Sequence, residues 1–535
     1  MKTMISSIIL ASCLALPLAS CSDSDVAPEQ KDWSTTTYFY SADAAMQDTY
    51  YKPTVGYVGD PMPFFDPVAG DFKVLYLQDF RPNPEGTYHP IWGVSTKDAA
   101  HYTSLGELVA CGTKKSQDAA IGTGSTIYDE ASKLYYTFYT GNKYLPTGDE
   151  SAQAVMVATS PDFTTWTKDR TFLLKGQDFG YDKNDFRDPF VFKGDDGKFH
   201  MLISTKKGGK GSLAEFVSDD LKNWTDNGVF MTMMWDRFYE CPDLFKMGDY
   251  WYLVYSEIHH AVRRVQYFKG RTLDELKACT ANDVARWPDA HEGFLDSRGL
   301  YAGKTASDGT NRYLWGWCPT RSGKDNTAVG ASPAEPEWAG NLVCYKLIQH
   351  EDGTLTLGQI DAVSEKYNQD VAVEVKESQN MTEADGTYTL AGSVEQPDAY
   401  MLMGRLGSHN KISFTVTTSN EWDKFGISMV RGSDSKKYYT MVVNPENENN
   451  RKVNFEEQGV EGKGFIAGID GYVFARPADN VYNITIYTDN SICVMYINDV
   501  CSYTNRIYGI QKNCWSINSY NGANVKISNL KISQY

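Results

Sequence analysis

One short element recurs at long, regular intervals, and that recurrence limits the fold more than any other feature of the chain. Ser160-Pro-Asp162-Phe-Thr-Thr-Trp166 returns with the same offsets as Ser218-Asp-Asp220-Leu-Lys-Asn-Trp224, and a looser copy begins at Ser95, places Asp98 and ends at Tyr102 with one extra residue. A second element carries a proline after its first position and an aromatic at its fifth. It reads Asp60-Pro-Met-Pro-Phe64, Asp188-Pro-Phe-Val-Phe192 and Cys241-Pro-Asp-Leu-Phe245, and further strand openings fall near Ser125 and Gly299. Between these openings lie aromatic or β-branched runs bounded by Gly, Asp and Asn, such as Lys133–Thr140 and Tyr250–Ser256, with little helical periodicity. Units of about 50–65 residues built from roughly four short strands predict propeller blades. Openings at 60, 125, 188, 241 and 299 predict five of them, an all-β, five-bladed β-propeller over residues 51–362. A β-sandwich with coincidental spacing is the competing fold.

From about residue 370 the texture changes to alternating strands joined by Gly, Asn and Asp turns. Val371–Val375, Lys411–Thr417, Lys437–Val443, Asn483–Thr488, Ile492–Asn498 and the terminal run from Val525 to Gln534 read as strands of a C-terminal β-sandwich over residues 363–535. A chain of 535 residues with 24 Phe, 12 Trp and 35 Tyr has ample material for such cores. Its formal charge is −17, with no basic cluster, which argues against nucleic acid as a partner.

The N-terminus reads as an export signal. An apolar stretch from Met4 to Leu18, too short to span a bilayer as a mature helix, leads through Leu18-Ala19-Ser20 into Cys21. That arrangement resembles a bacterial lipobox: residues 1–20 would be a signal peptide, Cys21 the lipidated first residue of the mature chain, and residues 21–50 a tether and lead-in. The acidic flank Ser22-Asp23-Ser24-Asp25 is similar to export signals of surface lipoproteins in some Gram-negative bacteria. The expected location is therefore the outer membrane, held by lipid alone and facing the cell surface, with the periplasm as the alternative. The remaining cysteines are dispersed, match no zinc spacing and form no Cys-x-x-Cys, so they read as buried thiols with at most an occasional bridge. No metal or cofactor is expected.

In a propeller the first strand of each blade lines the central channel, so side chains at the blade openings converge on one small volume. Here those positions present acids: Asp60, Asp188 and Glu240, with Arg187 beside the second. Two carboxylates facing each other across a pocket are the apparatus for hydrolysing a glycosidic bond, one as nucleophile or base and the other as proton donor. A third acid paired with an arginine suits charge-assisted hydrogen bonds to sugar hydroxyls. The competing reading is that these acids cap turns, as Asp162 and Asp220 are expected to do.

With those residues in place, the chain resembles glycoside hydrolase family 32, the fructan-degrading enzymes that include levanases, inulinases and invertases. Arg187-Asp188-Pro189 matches the family's Arg-Asp-Pro motif and Glu240-Cys241-Pro242 its Glu-Cys motif. Asp60-Pro61 stands where the nucleophile motif Asn-Asp-Pro-Asn-Gly belongs. Leu77-Gln78, Trp92-Gly93, Gly124-Ser125, Asp296 through Tyr301-Ala302, Glu337-Trp338-Ala339-Gly340 and the strand pair around Tyr487–Asn498 add supporting matches. The resemblance implies Asp60 as nucleophile, Glu240 as acid/base, and Asp188 with Arg187 gripping fructose, for a retaining cleavage of β-fructofuranosidic bonds in levan or inulin. A surface tether would suit endo-cleavage of a polymer too large to import. It also implies Gln78, Trp92, Ser125 and Trp338 as pocket-lining, substrate-binding residues. Two departures stand out: Gly59 replaces the family's Asn, and Met62-Pro63 replaces its Asn-Gly. Two alternatives remain, a non-catalytic surface lipoprotein that binds glycan and an inverting propeller glycosidase of the arabinanase and xylosidase type.

Overall fold

The computed structural model describes residues 49–80, 89–233, 238–257, 264–279, 293–321, 336–431, 438–445, 452–458, 472–474 and 476–535. The signal segment, Cys21 and the tether lie outside the described residues. Strands dominate the described chain. The sequence repeat appears as successive antiparallel meanders that open on β1 (Tyr57–Asp66), β2 (Ala120–Asp129), β3 (Phe186–Lys193), β4 (Glu240–Met247) and β5 (Tyr301–Ser307). The meanders of β2 and β3 are four-stranded sheets and that of β4 is three-stranded. The first and last meanders join in a single eight-stranded sheet, because β1 pairs with the strand Pro336–Gln349 through Val58 opposite Gly340.

Side-chain alternation explains how these sheets stack. In the strand Phe199–Lys207, Met201 and Ile203 pack with Phe138, Val155 and Val157 of the preceding sheet, while Leu202, pointing the other way, packs with Leu244 and Leu253 of the following one. Met62, Leu75 and Leu77 share a core with Ile121 and Tyr139 in the same manner. Val58, Phe72 and Tyr76 of the first meander meet Trp315 and Leu342 of the last, and Phe245 and Tyr252 of the fourth join that cluster. Each sheet therefore shares a core with its neighbours, the first with the last included. Sheets covered on both faces explain why these strands read as continuous apolar runs.

The Ser-x-Asp…Trp element is a turn between the third and fourth strands of the first three meanders. Asp162 Oδ1 accepts from the backbone N–H groups of Thr164 and Thr165 at 2.9 and 2.8 Å, and Trp166 Nε1 closes the turn onto the carbonyl of Phe163. Asp220 does the same with Lys222 and Asn223, and Trp224 with Leu221. These backbone donors hold both carboxyls below the usual range, so the expectation that they cap turns is met. The third copy differs from its sequence alignment. Thr96, not Ser95, takes the serine position, Asp98 accepts from Ala100 and His101, and Tyr102 hydroxyl donates to Ala99 carbonyl, so there is no extra residue. Ala99, Phe163 and Leu221 share a positive φ of 58°, 62° and 63°, which fixes the true register.

The C-terminal strands form two sheets, of eight and seven strands, around a core that includes Trp515, Phe414, Phe425, Ile484 and Met495. The strand His409–Thr418 alternates buried and half-buried residues along its whole length, as expected of a sandwich face. One expected strand is absent: Val371–Val375 is the gap between two short edge strands, Gln369–Val371 and Val375–Gln379, which belong to opposite sheets. The eight cysteines from Cys111 to Cys514 are all free thiols, five of them buried. Among the described residues no helix is long and apolar enough to cross a membrane.

The two halves are fastened by buried polar groups. Asp296 accepts from Ser297 and Thr504 backbone N–H groups at 2.6 and 2.8 Å and from the hydroxyls of Ser502 and Thr504 at 3.0 and 2.7 Å. Close approach here requires Gly299, since a Cβ on it would stand 2.0 Å from the Thr504 carbonyl oxygen.

Candidate active site

All five opening strands carry a register shift at the same height: between Gly59 and Met62, Gly122 and Gly124, Arg187 and Phe190, Glu240 and Asp243, and Tyr301 and Lys304. A bulge leaves its extra residue outside the ladder and re-aims the side chains around it. Asp60, Asp188, Cys241 and Ala302 sit at these bulges with φ of 27°, 57°, 51° and 52°, in the region that non-glycine residues seldom occupy. The prolines at 61, 189 and 242 cost no ladder bond at a bulge. Asp60 and Asp188 thus hold equivalent places, whereas Glu240 stands one residue earlier, in the place of Gly59, Arg187 and Tyr301.

The bulges surround a pocket of about 360 Å3 lined by Asp60, Gly122, Thr123, Arg187, Asp188, Glu240, Cys241, Tyr301 and, at its wall, His89, Asn142 and Trp338. Asp60 receives a hydrogen bond on each oxygen, from Trp317 Nε1 and from Thr123 hydroxyl, both at 2.9 Å. Glu240 accepts from Arg187 Nη2 at 2.9 Å and from the Tyr301 hydroxyl at 2.5 Å. Arg187 is itself clamped by Asp185 at 2.7 Å, and its guanidinium lies 3.9 Å from the centre of the Phe238 ring. Asp188 is buried and accepts from the Cys241 backbone N–H at 2.9 Å, with Arg187 Nε 4.0 Å away. Burial raises its carboxyl to about 6, against the opposing pull of Arg187 and with a further push from the Glu240 and Asp60 charges. Acids brought together in one pocket, one of them with its carboxyl raised by burial, mark a candidate functional site.

Of the residues expected from the sequence, Asp60, Arg187, Asp188, Glu240 and Trp338 meet in this pocket, and Gln78, Trp92 and Ser125 do not line it. Ser125 is a buried staple: its hydroxyl donates to the Pro189 carbonyl at 2.9 Å and accepts from Val191 N–H at 2.8 Å, tying β2 to β3. Gln78 is fully buried and donates through Nε2 to the carbonyl of Val55. Trp92 packs edge-on against Phe80. Tyr301, quoted only within a supporting family match, Trp317 and Thr123 are not among the site residues expected from the sequence. The first and third occupy bulges, and aligning the units on the bulges rather than on Ser125 and Gly299 would have found them. Trp317 lies on a second strand, outside any repeat of the opening element.

The Gly59 departure has a steric cause. A Cβ at this position would stand 2.3 Å from Trp338 Cη2, because the far end of the indole's six-membered ring occupies that space. Met62 is also accounted for: it is buried within the bulge, and its sulfur accepts from Gly124 N–H at 3.1 Å.

Residues 50–360 match the model of the glycosyl hydrolases family 32 N-terminal domain, and residues 353–532 that of the GH32, BT1760-like, C-terminal domain. The chain belongs to glycoside hydrolase family 32. Similar family members include an Arabidopsis thaliana protein described as beta-fructofuranosidase, insoluble isoenzyme CWINV2, 26% identical over 54% of this chain and 51% of its own length. The sucrose-6-phosphate hydrolase of Escherichia coli is 27% identical over 39% of this chain and 43% of its own. The chain spans about half the length of the curated relatives it matches. Among solved structures, an exo-inulinase from Aspergillus awamori superposes with a TM-score of 0.67 at 16% identity, covering 91% of this chain and 98% of that one. Fructan 1-exohydrolase IIa from Cichorium intybus superposes with a TM-score of 0.66 at 16% identity, over 91% and 97%. At that identity the likeness is one of fold: the all-β architecture of family 32, a β-propeller followed by a β-sandwich.

Proposed function

We propose that the protein is a retaining β-fructofuranosidase of fructans, levan or inulin, acting at the cell surface. The observation that carries this reading is the convergence of Asp60, Asp188 and Glu240 on one pocket, with both oxygens of Asp60 held by neutral donors and Glu240 held by Arg187 and Tyr301. In this reading the ring of sheets is a five-bladed propeller closed between its first and last blades.

Asp60 attacks the anomeric carbon of the fructofuranosyl unit. As the bond to the leaving oxygen breaks, Glu240 gives that oxygen its proton, and a covalent fructosyl ester forms on Asp60. Water then enters; Glu240, now ionised, takes its proton, and the hydroxyl adds to the anomeric carbon as Asp60 leaves. Two inversions give net retention. Trp317 and Thr123 fix the attacking carboxylate in one orientation, which lowers the entropic cost of reaching the transition state. Asp188 and Arg187 bind fructose hydroxyls.

Lipid attachment through Cys21 and a surface location rest on the leader sequence and are part of the same proposal; endo-cleavage fits an enzyme meeting polymer outside the cell. The test is incubation of residues 35–535 with levan, inulin, sucrose and arabinan, resolving products over time. Fructo-oligosaccharides at early times support endo action on a fructan, and free fructose alone from the first time point overturns it. Fructose from sucrose but from neither polymer moves the substrate to small sugars. Arabinose products, or binding without any product, overturn the activity itself. Loss of labelled fatty acid incorporation in Cys21→Ala cells tests the anchor.

A further inference from the structure

We infer that Arg506, in the C-terminal sandwich, is a positioning residue for the reaction centre, acting through Trp317 on Asp60. The inference rests on the proposed role of Asp60. Arg506 ends the strand Cys501–Arg506 at the edge of one sandwich sheet and is fully buried, 3% exposed. Among the described residues its guanidinium meets no carboxylate; its four acceptors are neutral. Nε donates to the Pro319 carbonyl at 3.0 Å, Nη2 to the Cys318 carbonyl at 2.9 Å and to Asn341 Oδ1 at 2.6 Å, and Nη1 to the Ser491 hydroxyl at 2.9 Å.

Three of those acceptors belong to two adjacent strands of the last propeller sheet. Cys318 and Asn341 are paired across them, as are Pro319 and Gly340. Cys318 follows Trp317, whose indole N–H is bonded to Asp60 Oδ1 at 2.9 Å. Asn341 is three residues beyond Trp338, which walls the pocket and meets the Trp317 ring edge-on at 6.2 Å. A planar five-donor fork seated across both strands fixes their mutual orientation at the point where each delivers an indole to the site. Burying a guanidinium against neutral acceptors is costly, and an apolar side chain would fill the same interface more cheaply. What it adds is direction at the backbone of residues 318 and 319. The sandwich is then more than a brace: through one side chain it sets the donor that orients the attacking carboxylate.

The experiment compares the full mature chain with Arg506→Lys, which keeps the charge but loses the fork, and with Trp317→Phe and the double variant. Two readouts are taken. The first is kcat and KM on sucrose and levan, normalised to titrated active sites. Arg506→Lys should lower kcat about tenfold with KM changed less than twofold, and the double variant should be no slower than Trp317→Phe alone. The second does not need turnover: the indole N–H resonance of Trp317, assigned by its loss in Trp317→Phe, should move upfield in Arg506→Lys as the bond to Asp60 weakens. Should Arg506→Lys fail to fold, Asn341→Ser removes the shortest of the four contacts and should move the same resonance in the same direction by less. A variant that melts earlier while its kcat per active site and Trp317 resonance stay unchanged would show a purely structural role and overturn the inference, as would multiplicative effects in the double variant. An inactive parent chain would instead overturn the activity reading, leaving the resonance to decide the inference.

Discussion

The indole of Trp338 occupies the space that a side chain at Gly59 would need, with Cη2 2.3 Å from the ideal Cβ position. Position 59 precedes Asp60 on β1, so the ring stands beside the backbone that carries the proposed nucleophile. Gly59→Ala must push the rigid indole out of the pocket wall or bend the bulge that carries Asp60. The expected outcome is a fall in kcat/KM on sucrose of roughly tenfold to a hundredfold. An Ala variant with the parent's kcat/KM would mean that the ring is not needed where it stands.

Glu240→Ala removes the acceptor of both Arg187 and Tyr301 and the proposed proton donor. Turnover of levan and sucrose should drop by about 10²–10⁴, with binding of fructan in a pull-down retained. Near-full turnover would displace Glu240 from the acid/base role.

Asp188 is expected to set stability against its proposed role in binding fructose. Its native carboxyl titrates at about 6 against a reference value of 3.8, because burial penalises the charge. Between those two values the native state holds a proton that the unfolded chain has released. The group's contribution to stability is whole below the lower value and is lost as pH rises through about 6, by up to about 3 kcal/mol. Asp188→Asn should therefore be more resistant to urea than the parent at pH 7.5, with the gap closing toward pH 4, while losing turnover. A gap that widened on acidification would reverse the assignment.

Ser125→Ala separates packing from binding. It strips Val191 N–H of its acceptor and the Pro189 carbonyl of its donor inside a buried strand pair. Unfolding free energy should fall by about 1–3 kcal/mol with KM unaltered. A raised KM at unchanged stability would return Ser125 to the substrate pocket.

The strands, the turn motif and the three acids could be read from the chain because each depends on local chemistry: an Asp whose carboxylate captures backbone N–H groups two and three residues on, or a proline that no central ladder position tolerates. What could not be read was the geometry at the bulges. Nothing in the text of residues 299–302 says that Ala302, rather than Gly299, is the counterpart of Asp188; only the shared positive φ does. The same limit explains Gln78, Trp92 and Ser125. Each sits in a stretch that matches the family, and which way a side chain faces depends on register, where a slip of one residue turns it to the other side of the sheet. Trp317 was hidden for another reason, since its partner Asp60 is 257 positions away in the chain.

The bridge from Val58 to Gly340, which unites the first sheet with the last, ties the proposed chemistry to a long-range closure. Asp60 and its indole donor Trp317 are 257 positions apart in the chain, so they meet only once the two ends of the ring of sheets have come together. A chain folded everywhere except at this closure is expected to lack the Trp317 donor on Asp60 and to turn over poorly. The first turnover of a refolding chain is thus expected to report on that closure.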